Sequence, residues 1–77
     1  MKQLTVLTNR ETLSTGEPVF VALCPELDIV SQGTTEDEAK ANLQEAIEAV
    51  YEVGGPDEIQ RRLEQGATVS TLEVTIA

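Results

Sequence analysis

The sequence predicts an α+β fold: an antiparallel sheet with the main helix packed on one face, in the order β-β-β-α-(short α)-β. Three observations carry this. The first 33 residues are β-branched and apolar runs cut by turn residues, residues 35–53 form a capped amphipathic helix pattern, and residues 68–76 alternate. At 77 residues and 8.3 kDa the chain has room for one core, so residues 1–77 are read as a single domain.

Thr5 to Thr8 is β-branched and apolar, with Leu4 and Val6 able to share a face, and reads as the first strand. Residues 9–18 are polar and hold Gly16 and Pro18, so they are read as a long hairpin connection. Val19 to Cys24 are six apolar residues in a row, which implies a strand buried on both faces. Pro25 to Asp28 make the next turn, and residues 29–32 a short third strand closed by Gly33.

Thr35-Glu36-Asp37-Glu38 fits a capping box, with the threonine hydroxyl accepting from the Glu38 amide and the glutamate reaching back. Ala39, Leu43, Ala46, Ile47 and Val50 fall on one helical stripe, flanked by Tyr51 and Val53, and Gly54-Gly55-Pro56 stops the helix. Pro56 restarts a short helix with Ile59 and Leu63 as its apolar contacts, ended by Gln65-Gly66. Thr68, Ser70, Leu72, Val74 and Ile76 then show the period of a last strand.

Composition excludes several functions. Five Lys/Arg against 14 Asp/Glu give a net charge of −9, which repels phosphates. The basic residues are Lys2, Arg10, Lys40, Arg61 and Arg62, and only the last two adjoin. Phe20 and Tyr51 are the only aromatics, so base stacking has almost no platform. Direct nucleic-acid binding is therefore not expected. No run approaches a membrane span of about 18 apolar residues, and Met1-Lys2-Gln3 leads into a strand pattern rather than a signal peptide. The expected setting is cytoplasmic.

Nor does the chain read as an enzyme. Cys24 is the one possible sulfur nucleophile, there is no histidine to activate it, and a thiol closing an apolar strand is inert when buried. Glu36, Asp37 and Glu38 are adjacent, so they point in different directions, and no calcium-loop or phosphate-loop pattern occurs. No catalytic residue, metal or cofactor is expected. A single cysteine also excludes an internal disulfide, which leaves partner subunits to reinforce so small a core.

Two surfaces remain as candidates. Asp37, Glu45, Glu48 and Glu52 share one helical arc with Glu38, opposite the apolar stripe. That arc reads either as a solvated face or as a docking strip for a basic protein. In the second strand, Phe20, Ala22 and Cys24 are able to meet the helix, and Val19, Val21 and Leu23 then need a cover. The pattern does not say which face turns inward. Either the short helix covers the second face or another subunit does, and the small core favours a homo-oligomer.

Cys24-Pro25-Glu26-Leu27, Ser31-Gln32-Gly33 with Thr35, Glu38-Ala39, Asn42-Leu43 and Glu45-Ala46-Ile47 together resemble the HicB-like antitoxin family of type II toxin–antitoxin systems. The likeness spans residues 3 to about 76. It implies a partial RNase H-like fold and homo-oligomers, dimers or tetramers. It also implies a small basic HicA-like partner, an mRNA-cleaving toxin with a catalytic histidine that the antitoxin covers. Many relatives have Pro-Gly where this chain has Asp28-Ile29, which affects a turn. Many also carry a C-terminal DNA-binding segment, whereas this sequence ends at Ala77, so operator binding is not carried over.

The expected function is thus an antitoxin-type protein that neutralises a basic toxin by contact. The alternative is a stand-alone oligomeric scaffold or small-ligand-binding protein of the same fold with no toxin partner.

Overall fold

A computed structural model of the chain describes residues 3–76; Lys2 and the two ends of the predicted 1–77 domain lie outside the described residues. The fold is α+β, a three-stranded antiparallel sheet followed by one helix. The strands are β1 (Leu7–Thr12), β2 (Pro18–Cys24) and β3 (Ile29–Gly33), in that spatial order, and the helix α1 is Glu36–Gln65.

β1 lies further along the chain than expected. Residues 9–12 belong to it, opposite Val21, Phe20, Val19 and Pro18 of β2, and Leu4 to Val6 form a lead-in without strand pairing. Main-chain hydrogen bonds ignore side-chain polarity, and the exposed side chains of Asn9 to Thr12 lose no hydration on an edge strand. The hairpin tip shrinks to residues 13–17, closed by the Leu13 amide on the Glu17 carbonyl and the Gly16 amide on the Leu13 carbonyl, both at 2.8 Å. Gly16 supplies φ 90 there, a conformation that glycine adopts without strain.

β2 holds the centre of the sheet, with Leu23 opposite both Leu7 and Val30, and Cys24 opposite Ile29. Its Ala22 and Cys24 are fully buried with Leu27, Ile29, Ala39 and Leu43, and Phe20 packs against that cluster half-buried. The Phe20–Ala22–Cys24 face is therefore the one that meets α1. Leu27 is the largest fully buried side chain although it sits in the β2–β3 turn. Asp28 beside it takes the left-handed conformation, φ 55, which its short polar side chain tolerates.

The start of α1 follows the sequence closely. Thr35 is the N-cap, and its hydroxyl accepts from the Glu38 amide at 3.0 Å. The Glu38 carboxylate reaches back one residue further than a capping box would have it. It accepts from the Thr34 amide at 3.1 Å and the Thr34 hydroxyl at 3.2 Å. Ala39 and Leu43 are buried and Ala46, Ile47 and Val50 half-buried, as the stripe requires, but Tyr51 is exposed and Val53 is 92% exposed.

Two predicted elements differ. The short helix is not a separate element: α1 is two helical stretches joined across a kink at Gly55, φ 72 and ψ −172, where the Gly54-Gly55-Pro56 stop was expected, and residues 56–65 form the second stretch. Pro56 lacks the N–H that would have bonded back across that break, so helix resumes at once. Ile59 and Leu63 do pack against the core. The predicted fourth strand is also not formed, since residues 67–76 pair with no strand, and Leu72 and Ile76 are 85% and 87% exposed. Alternation suits a segment to a half-buried ladder position, but the ladder partner must come from elsewhere in the structure. This segment leaves α1 at the β2–β3 turn, where the Ala67 amide donates to the Pro25 carbonyl at 3.2 Å, and it meets no open edge.

Candidate docking surface

α1 crosses β3 and β2 and scarcely reaches β1. That offset decides the surface. Between the helix and the lead-in to β1 it leaves an open groove of about 480 Å3, floored by Leu4, Val6, Leu43 and Ile47, with Asp37, Lys40 and Glu48 also lining it. A second groove of about 700 Å3 continues along the helix, lined by Leu4, Leu27, Ile47, Tyr51 and Ile59 together with Glu48 and Glu52. Leu4 is held there as part of the apolar packing, and the Thr5 amide donates to the Glu26 carboxylate at 2.9 Å.

Three of the four predicted acidic contacts are thus brought to these grooves. Asp37 and Glu48 line the first, and Glu48 and Glu52 the second. Glu45 is exposed further round α1 and lines neither. Among the described residues the ion pairs are those of Glu58 with Arg61 and Arg62, so the acidic arc carries its charge unpaired. The one adjacent pair of basic residues is used internally: Arg62 Nε donates to Glu58 at 2.9 Å and its Nη1 to the Leu27 carbonyl at 3.3 Å.

Among the described residues nothing covers the opposite face of the sheet. Val19, Val21 and Leu23 are half-buried there beside exposed Leu7 and Val30, because register places Leu7 and Val30 across from Leu23 on either side. Residues 56–65 lie with α1 and do not turn to cover it.

Cys24 is fully buried, and burial pushes its thiol up from the usual range despite a hydrogen bond with the Leu27 backbone; its Sγ lies 3.7 Å from the Glu26 carboxylate. A protonated thiol in that position is a packing group. The Thr5 hydrogen bond holds Glu26 below the usual carboxylate range, against an opposing effect of burial. Among the described residues no group of Cys, Asp and Glu gathers that would hold a metal ion, and no helix is long and apolar enough to cross a membrane.

Sequence reasoning missed the grooves, the Glu26 tether and the burial of Leu27. The signal for Leu27 was its apolar side chain between Glu26 and Asp28 in an otherwise polar turn. The tether joins residues 21 positions apart and leaves no local trace.

No protein-family model matches the chain, and neither a curated protein nor a solved structure does.

Proposed function

We propose that this chain is a protein-binding module of the HicB-like antitoxin kind, which neutralises a small basic HicA-like RNA-cleaving toxin by contact. The single observation that carries the reading is the union of unpaired Asp37, Glu48 and Glu52 with apolar groove floors. An apolar centre with a polar rim is the anatomy of a protein–protein contact. Acidic side chains there suit a partner whose own surface is built for RNA phosphates, and a net charge of −9 speeds its encounter.

In this reading the protein is not an enzyme and binds no nucleic acid directly, and it acts in the cytoplasm. The three strands and α1 supply the shared part of a partial RNase H-like framework. Val19, Val21 and Leu23 form a contact between copies in a dimer or tetramer, supported by the uncovered apolar sheet face. The stand-alone scaffold reading shares that contact and differs only in lacking the toxin.

The test is charge reversal, Glu48→Lys with Glu52→Lys, against any short basic protein encoded by a neighbouring gene. The expected result is a slower association at low salt, with the difference shrinking as salt rises. Unchanged affinity and unchanged association rate remove the acidic strip from the contact. Absence of any neighbouring short basic protein with a histidine favours the scaffold reading.

A further inference from the structure

We infer that residues 68–76 are a donated strand, which pairs with the open edge of β1 in a second copy of this chain while that copy returns its own. The proposal does not depend on the toxin reading. Two unsatisfied halves of one interface occur on the same molecule. One is the tail: Leu72, Val74 and Ile76 alternate along the sequence, which would put them on one side of a strand, and are 85%, 67% and 87% exposed. The other is β1, which pairs with β2 on one side only and leaves its outer row of N–H and C=O groups without a strand.

The fit is specific in length and in chemistry. Nine extended residues span about 30 Å, enough to run the whole six-residue length of β1. Glu73 is the only charge in the segment, so it adds to a sheet without burying ions on its apolar side. Beside β1 lies the apolar groove floored by Leu4, Val6 and Ile47, which α1 leaves open. A strand laid on the β1 edge carries alternate side chains toward that groove, where Leu72, Val74 and Ile76 find apolar cover.

The tail's own chain does not use it in this way. The radius of gyration is 14.6 Å, against about 11.5 Å for a compact chain of this length, and residues 67–76 are exposed throughout. Reciprocal exchange closes as a two-fold dimer, with one tail given and one received on each side.

The experiment compares the full chain with Leu72→Glu/Val74→Glu, measuring mass by light scattering and amide hydrogen exchange across the chain. The parent is expected at twice the 8.3 kDa chain mass or a higher even multiple, with residues 68–76 and β1 protected together. The double variant is expected to fall to half the parent mass, lose both protections and keep the helical signal of α1, since neither residue contributes to the core. A monomeric parent overturns the exchange, including one whose tail is protected by folding back on its own β1. So does a double variant that keeps the parent's mass. Val21→Glu/Val30→Glu separates the other surface: if that change alone dissociates the parent, the sheet face is the interface and the tail is not. None of these outcomes bears on toxin binding, which the charge-reversal test reads separately.

Discussion

The Thr5 amide donates to the Glu26 carboxylate at 2.9 Å, tying the lead-in of β1 to the β2–β3 turn. Leu4, next to Thr5, packs against the core and lines the second groove with Leu27 and Ile47.

A pH dependence follows from the Thr5–Glu26 contact, to which the Thr5 side chain contributes more than its amide. Thr5 stabilises the ionised form of Glu26, so the folded-state pKa lies below the unfolded one. The resulting stability is fully present above the unfolded carboxylate value and is lost as pH falls through the folded one. Glu26→Gln is expected to be less stable than the parent at neutral pH, with the gap narrowing in acid. Urea unfolding at both pH values checks this, and a gap that stays constant contradicts it.

Core truncations rank by burial, not by size. Leu27 is 1% exposed and Phe20 only half-buried, so Leu27→Ala is expected to cost about 2–5 kcal/mol, more than Phe20→Ala. On a margin this small, Leu27→Ala should leave a large unfolded fraction. Denaturant midpoints of the two variants provide the comparison, and a larger loss at Phe20 would place the centre of the core in the wrong place.

The start of α1 depends on two threonines. Thr35→Ala removes the acceptor of the Glu38 amide and is expected to cost about 1 kcal/mol. Thr34→Ala removes only one of the two bonds to the Glu38 carboxylate, since its backbone amide stays, and should cost less. Thermal unfolding of both variants tests that order.

Gly33 is where β3 gives way to α1 at close range. A Cβ there would lie 2.6 Å from the Ala39 nitrogen and 2.9 Å from the Glu38 Cβ. Backbone of a capped helix cannot retreat cheaply, so Gly33→Ala is expected to cost about 1–3 kcal/mol. A neutral result by chemical unfolding would mean that α1 is free to shift away from β3.

Much of the framework was legible along the chain. The six apolar residues of β2, the Thr35 cap and the stripe from Ala39 to Val50 are local patterns with local causes, and each appears in the fold where its pattern put it. Three-dimensional packing decided the rest. Which face of β2 turned inward depended on where α1 came to lie, and the extent of β1 depended on main-chain pairing with β2. Leu27 entered the core, and Thr5 found Glu26, through contacts between distant parts of the chain. For residues 68–76 the period was readable and the pairing was not: alternation belongs to a segment, whereas a ladder belongs to two.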